Sequence, residues 1–208
     1  GSNINEVIKK LNESKAYKES FSNAFQDSTI STAKILKALS QFQLTLVSAN
    51  AKYDRVKMSK EAFTEQEKNG YQIFKNNCVS CHSEPLFSNY NFENNGLPID
   101  PTLNDLGRFI ITKDEKDKEK FKVPSLRNLS YTYPYMHDGR FMTLKEVINH
   151  YTSGIEHSAT LSPQLNDSIE LSSNEKVDLL SFLLTLNDKD FVFNKKHQFK
   201  KIADHAEE

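Results

Sequence analysis

The sequence has little of what defines several common protein classes. It contains only two cysteines and no tryptophan in 208 residues. One cysteine pair, without a second pair or an H-x₃₋₅-H motif, cannot supply the four ligands of a structural zinc site. No stretch approaches the ~18 apolar residues of a membrane span. The net charge of −1 gives no electrostatic basis for binding nucleic acid. The chain is nevertheless long enough to bury a core.

Both cysteines belong to one motif, Cys78-Val79-Ser80-Cys81-His82. The spacing C-x-x-C-H is that of c-type haem attachment. Two sulfurs at this spacing form thioethers with the vinyl groups of one porphyrin, and His82 then lies under the iron as its proximal ligand. A redox-active C-x-x-C would belong to a βαβ pattern, whereas this chain shows helical periods. The motif therefore predicts covalently bound haem.

Haem attachment of this kind normally takes place outside the cytoplasm, so we expect a periplasmic location. The sequence opens with Gly1-Ser2 and has no initiating methionine. This opening is typical of an expression remnant, so the lack of an export signal carries no information.

Helical periodicity dominates the rest of the chain and predicts an all-α fold. Apolar residues recur at helical spacing between residues 7 and 25. Between residues 31 and 48 they share one side of a longer helix and predict a buried packing face, formed by Ile35, Leu36, Leu39, Phe42 and Leu46. Capping boxes that begin at Thr64, Thr143 and Ser172 predict three further helices. Residues 83–130 are rich in loop-forming residues, and the charges of residues 113–122 predict a solvated segment.

The second axial ligand of the iron separates electron transfer from oxygen or peroxide chemistry. Several side chains downstream of His82 could supply it, and spacing alone does not choose among Met136, His137, His150, Tyr151 and His157. A lone histidine or tyrosine is more often a structural residue than a ligand.

Two later motifs resemble a known family. Residues 121–128 include PSLRN, and residues 134–141 include PYMHDG. Together they resemble the C-terminal signature of bacterial di-haem cytochrome c peroxidases and their MauG-type relatives. Residues 38–48 and 53–55 resemble the segment that bridges the two haem domains of this family. Residues 78–87 resemble its second haem motif and the loop that follows.

The resemblance implies a c-type cytochrome domain with long loops at residues 59–208. Residues 1–58 would be bridging helices of the family's N-terminal domain. Family members carry two C-x-x-C-H motifs, and the single motif here resembles the second. The peroxide-reacting haem and the acid of its distal pocket are therefore expected upstream of residue 1. The aromatic residue that the family places between its haems either lies there too or is absent, since the sequence has no tryptophan.

The resemblance also implies roles for individual residues. Cys78, Cys81 and His82 would attach and coordinate the haem, and His137 would belong to the cofactor site. The family's distal ligand lies fourteen residues after the histidine of the second motif, which here reaches Tyr151. That ligand is methionine in the peroxidases and tyrosine in MauG-type proteins, so Tyr151 favours the MauG branch. Thr132 and Pro134 match family positions whose backbone carbonyls bind a calcium ion. The resemblance therefore also implies a calcium site here.

These observations predict the electron-transfer portion of a periplasmic di-haem peroxidase or MauG-like oxidoreductase. It would relay electrons to a peroxide-reacting haem outside these residues and would be inactive alone. Its expected partners are hydrogen peroxide in the full enzyme and a small redox protein or quinol-linked electron donor, and a homodimer is a further expectation. A stand-alone single-haem electron carrier and a haem-based sensor domain are the alternatives.

Overall fold

A computed structural model describes residues 3–198, so the opening Gly1-Ser2 lies outside the described residues. The chain divides into two compact units. One contains the residues up to Val47 together with the stretch from Phe193 onward, and the other is Ser48–Val192. The second unit thus begins eleven residues before the predicted start of the second domain at residue 59. That boundary concerns the family's two domains and stays a prediction.

The first unit contains the predicted N-terminal helices, α1 (Ile4–Glu13), α2 (Lys15–Phe25) and α3 (Thr32–Thr45). The side chains of Asn3, Ser14 and Ser31 cap them by accepting hydrogen bonds from backbone N–H groups of the first turn. The predicted burial of one α3 face is wrong. Ile35 is buried, but the other large apolar side chains of that face are exposed, namely Leu36, Leu39, Phe42 and Leu46. Helical spacing shows which residues share a face and does not specify what covers it.

The second unit contains six short or medium helices. They are α4 (Lys52–Lys57), α5 (Glu65–Asn77), α6 (Phe109–Thr112), α7 (Leu144–Asn149), α8 (Ser173–Leu184) and α9 (Lys189–Val192). The three predicted capping boxes are confirmed at the starts of α5, α7 and α8. In each, the hydroxyl accepts from the backbone of the third helical residue, whose carboxylate accepts in return.

Helices α5 and α8 cross in the centre of this unit, and Gly70 allows their close approach. A Cβ atom on Gly70 would lie only 1.9 Å from the carbonyl oxygen of Asp178. Around this crossing, Phe74 of α5 and Phe182 of α8 are fully buried, with ring centroids 5.1 Å apart. The crossing fixes the C-terminal end of α5, which leads directly into Cys78.

Residues 83–130 are largely irregular, as predicted. They include a small antiparallel pair of strands, β1 (Phe92–Glu93) and β2 (Phe121–Lys122), in which Phe92 pairs with Lys122. Within residues 113–122, the first four side chains are exposed, whereas most of the others are partly buried. The fold is mostly helical with little strand, which confirms the all-α prediction. None of the helices described is long and apolar enough to cross a membrane.

Candidate haem-binding site

The C-x-x-C-H residues form a tight turn at the end of α5. The backbone N–H of Cys78 still donates to Phe74 of the helix at 2.8 Å, and that of His82 donates to the Cys78 carbonyl at 2.9 Å. Both cysteines are free thiols. Burial, followed by the neighbouring Cys81, raises the pKa of Cys78 to about 12. The turn therefore presents two neutral thiols beside one imidazole.

The imidazole of His82 is oriented by two backbone carbonyls. Its Nδ1 lies 3.0 Å from the carbonyl oxygen of Phe87 and 3.2 Å from that of Pro124. Because both partners are acceptors, Nδ1 carries the proton and Nε2 keeps its lone pair. Burial lowers the pKa of His82, so the ring is neutral near pH 7. A neutral imidazole held through Nδ1 is the state in which histidine binds a metal.

The loop that supplies one of these carbonyls is held by the PSLRN segment, residues 124–128. Phe87 is fully buried with φ of 56°, in the left-handed region. Its carbonyl also accepts a hydrogen bond from the backbone N–H of Leu126 at 3.3 Å. The Ser125 hydroxyl donates to the carbonyl of Leu86 at 2.6 Å. The PSLRN segment, which carries part of the family resemblance, thus holds the loop whose Phe87 carbonyl accepts from His82.

Arg127 extends this support to helix α4. Its Nε and Nη2 donate to the Pro85 carbonyl at 3.0 and 2.8 Å. Its Nη1 and Nη2 donate to the two carboxylate oxygens of Asp54 at 2.9 and 2.8 Å. Both side chains are only 10% exposed. The Asp54 carboxylate accepts in addition from the backbone N–H of Ala51, at the start of α4.

A second polar cluster surrounds Glu84, two residues after His82. The hydroxyl of Tyr53 donates to its carboxylate at 2.5 Å, and that of Tyr71 donates at 2.7 Å. The Lys57 ammonium lies 3.2 Å from the same carboxylate. Burial alone would raise the pKa of Glu84, but these three donors lower it below its usual range. No role was predicted for Glu84, Arg127 or Asp54 from the sequence, although all three lie in segments that resemble the family.

Tyr151 lies in a single π-helical turn, His150–Gly154, that continues α7. This turn follows the short helix whose start the capping box at Thr143 predicts. The Asn95 amide donates to its hydroxyl at 3.5 Å. Burial raises the pKa of Tyr151, as do the nearby thiols of Cys78 and Cys81, while the Asn95 amide opposes this rise. The structure thus brings the Tyr151 hydroxyl into the neighbourhood of both cysteines.

The other candidate ligands have different surroundings. His150 is buried, and its Nε2 donates to the backbone carbonyl of Asn95 at 2.9 Å. The Met136 sulfur lies 3.4 Å from the Asn95 amide nitrogen, which also contacts Tyr151. His157 is exposed. Tyr151 and Met136 therefore both contact the Asn95 amide. Nε2 of His150, by contrast, already donates to the backbone carbonyl of Asn95.

His137, the histidine of PYMHDG, is exposed and stacks on Phe121, with ring centroids 3.7 Å apart and an interplanar angle of 11°. Partial desolvation of the stacked ring lowers the pKa of His137, although Asp138 and Asp105 oppose this shift. No contact between His137 and the cysteines is seen among the described residues. Its inclusion in the cofactor site stays a prediction.

The predicted calcium positions are also on the surface. Thr132 and Pro134 are both exposed, and the Thr132 hydroxyl donates to the Leu129 carbonyl at 3.2 Å. Within residues 3–198, no group of three or more His, Cys, Asp or Glu side chains is arranged to hold a metal ion. The calcium prediction relies on backbone oxygens, which that finding does not address, and it stays a prediction.

The donor set fits a covalently attached haem. It combines two thiols of one turn, a neutral imidazole with Nε2 free to coordinate, and a partly buried phenol on which both thiols act electrostatically. Thioether formation uses the two sulfurs, and iron accepts both nitrogen and oxygen ligands.

Comparisons with known proteins agree with this chemistry. A family model described as di-haem cytochrome c peroxidase matches residues 1–62, and one described as cytochrome c matches residues 67–187. The methylamine utilization protein MauG of Methylophilus methylotrophus is 39% identical over 188 residues, which are 87% of this chain and 55% of that protein. The cytochrome-c peroxidase IdrP2 of Denitromonas iodatirespirans is 35% identical over 192 residues, covering 78% of this chain and 51% of that protein.

Among solved structures, a MauG-like protein associated with microbial copper homeostasis superposes with a TM-score of 0.78 and 30% identity. The match covers 95% of this chain and 66% of that one. The chain spans about half the length of the curated relatives it matches. From these matches, the chain belongs to the di-haem cytochrome c peroxidase and MauG family, and residues 67–187 are a cytochrome c domain.

Proposed function

We propose that this chain binds one haem c and serves as the electron-transfer domain of a longer di-haem oxidoreductase. Cys78 and Cys81 would attach the porphyrin, and His82 would coordinate the iron from the proximal side. The observation that carries the proposal is the fixed imidazole of His82, whose Nδ1 donates to two backbone carbonyls. Such a bond to the far nitrogen of a metal-binding histidine orients the ring and raises its basicity as a ligand.

Bound at this site, haem would supply a one-electron couple between ferric and ferrous iron. The protein's own residues determine how that couple behaves. His82 holds a proton on Nδ1, which leaves Nε2 available to bind the iron. Phe74 and Phe87, both fully buried, contact each other with ring centroids 5.5 Å apart on the α5 side. This apolar cluster packs against Cys78, and burial lowers the pKa of His82, which favours a neutral imidazole.

We propose Tyr151 as the second axial ligand. Single π-helical turns inside helices occur frequently at functional sites, and this one contains Tyr151. The Asn95 amide donates to the hydroxyl oxygen and so supports the charged form that would bind iron. A phenolate is a hard anionic donor, and it stabilises ferric over ferrous iron. The domain would therefore have a low reduction potential.

The wider role rests on family membership and on the single haem motif. In the longer protein, this domain would relay electrons to a peroxide-reacting haem located outside these residues. Its donor would be a small redox protein or a quinol-linked carrier, and its compartment the periplasm. A calcium ion held by the carbonyls of Thr132 and Pro134, and a homodimeric assembly, belong to the same proposal.

The test is an optical and redox titration of the full-length, periplasmically matured protein before and after peroxide. We expect two haems of different potential, with the haem bound by residues 78–82 as the one of low potential. The matched control replaces Cys78 and Cys81 together by alanine, which should remove one covalent haem and leave the other. A full-length protein that shows a single haem, or that does not respond to peroxide, would contradict the proposed role.

A further inference from the structure

The two carbonyls that accept from His82 belong to segments that are far apart in sequence. Phe87 lies in the loop that follows the haem motif, and Pro124 begins the PSLRN segment. The hydrogen bond to His82 therefore depends on how firmly these two segments are held together. Within the second unit, the guanidinium of Arg127 connects them through two hydrogen bonds to the Pro85 carbonyl.

Arg127 makes four hydrogen bonds, divided between two partners. Two go to the carbonyl of Pro85, and two go to the carboxylate of Asp54 in a bidentate pair. The guanidinium carbon also lies 5.7 Å above the ring centroid of Phe87. A planar fork that pairs with a carboxylate on one side and a backbone carbonyl on the other holds its partners at a fixed separation. Lysine carries the same charge and cannot reproduce this geometry.

We propose that Arg127, anchored by Asp54, is a positioning residue that tunes the reduction potential of the haem by holding the loop whose Phe87 carbonyl accepts from His82. The inference rests on the proposed coordination of iron by His82. Arg127 does not itself contact the imidazole. Its influence passes through the Pro85–Phe87 backbone, which Ser125 holds in parallel through the Leu86 carbonyl.

The direction of the effect follows from the chemistry of imidazole. A strong Nδ1–H···O=C bond makes Nε2 a better donor, and a better donor stabilises ferric iron. If the loop loosens, this hydrogen bond weakens and the potential rises. A direct charge effect has the opposite sign, because removing a cation near the haem would disfavour the ferrous state and lower the potential. The two explanations can therefore be separated.

The experiment measures the potential of the haem-loaded chain by spectroelectrochemistry in three variants. Arg127→Lys keeps the charge and removes the fork, Arg127→Gln removes both, and Ser125→Ala loosens the same loop without any change of charge. Loss of a group that orients a metal ligand commonly changes metal affinity tenfold or more. We expect Arg127→Lys and Ser125→Ala to favour the ferrous state by about tenfold, which is about 59 mV for one electron. Arg127→Gln should favour the ferrous state by less, because the loss of the cation acts in the opposite direction.

A second readout reports on the hydrogen bond itself. In the diamagnetic carbon monoxide complex of the reduced protein, the NMR signal of the His82 Nδ1 proton should move upfield in all three variants. The control is Arg108→Gln, which breaks the ion pair with Asp117 at 3.1 Å, away from this loop. It should leave both readouts unchanged.

Three results would overturn the inference. In the first, Arg127→Lys and Ser125→Ala fold and keep the wild-type potential and proton shift. In the second, the potential falls in Arg127→Gln and is unchanged in Arg127→Lys, which is the signature of a charge effect. In the third, the wild-type protein has no covalent haem or does not coordinate it through His82, and the proposed haem site then fails as well. The first two results leave that proposed site intact.

Discussion

The close approach of α5 and α8 makes a sharp prediction for Gly70→Ala. In the interior of an ordinary helix, this change stabilises by about 1 kcal/mol, because alanine is the better helix former. Here the added methyl group would lie 1.9 Å from the Asp178 carbonyl oxygen and 2.9 Å from the Cβ atom of Phe182. Ordinary contact begins at 3.4 Å. The helices must therefore separate, and the sign of the effect reverses.

The cost can be worked out from the side chains at the crossing. A gap of about 1 Å removes roughly a quarter to a half of the dispersion energy of facing atoms. The buried side chains of Phe74, Leu179 and Phe182 each contribute about 1.5–3 kcal/mol. After the gain in helix propensity, we expect a net loss of about 2 kcal/mol, in the usual range for overpacked cores. For a domain of this size, this corresponds to a decrease in Tm of about 4–8 °C.

Thermal unfolding followed by far-ultraviolet circular dichroism would measure this decrease. The control is Asn69→Ala, the adjacent and exposed position of the same helix, which should gain about 0.5 kcal/mol or less. A Gly70→Ala protein with a Tm equal to or above the wild type would show that the two helices can slide apart without loss. The reasoning on close packing would then be refuted.

Four further predictions follow from the site. Tyr151→Phe should change the ferric spectrum and raise the potential, because the phenolate oxygen is lost; an unaltered spectrum would return Met136 to consideration as the ligand. Cys78→Ala or Cys81→Ala should make the haem extractable by acid–acetone, and haem that stays covalently bound to the double variant would refute the attachment site. The pKa of Glu84 is lowered in the folded state, so its carboxylate stabilises the fold at neutral pH. This stabilisation is lost as the pH falls below the usual carboxyl pKa of about 4.3. The Tm of Glu84→Gln should therefore decrease less steeply with acid than that of the wild type. The 208-residue chain loaded with its haem should reduce peroxide far more slowly than typical enzymes, ~1–10³ s⁻¹, and steady turnover in that range would show that the active haem was misplaced.

Local sequence signals predicted the longer helices and α7, and they missed the short helices α4, α6 and α9. The capping boxes at Thr64, Thr143 and Ser172 are confirmed because the interaction is complete within four residues. The C-x-x-C-H motif is visible in the sequence for the same reason, since both cysteines and the histidine lie within five residues; attachment of haem there stays a prediction. The burial of α3 was predicted wrongly because periodicity reports only the chemistry of a helix face. What covers that face depends on chain segments that the pattern does not contain.

Apart from the Phe87 carbonyl, five residues from His82, the parts of the site that sequence reasoning missed are long-range. Arg127 and Asp54 are separated by 73 positions, and the Pro124 carbonyl is 42 positions from His82. A backbone carbonyl carries no sequence signature, so a hydrogen bond to it cannot be predicted from residue types. The cluster of Glu84 with Tyr53 and Tyr71 cannot be predicted from the sequence either, because no local pattern links these three residues. Only the fold shows that they meet.

The left-handed backbone of Phe87 has a consequence for protein engineering. A bulky residue at φ of 56° costs free energy, and here the fully buried aromatic ring holds the backbone in that conformation. Grafting residues 78–82 alone onto a designed helical scaffold would transfer the attachment chemistry without the acceptor for the imidazole. A functional graft must include the loop as far as residue 88. The scaffold must also provide an apolar pocket for the side chain of Phe87. Glycine at that position would relieve the backbone strain, but it would also give up the side chain that fixes the direction of the carbonyl.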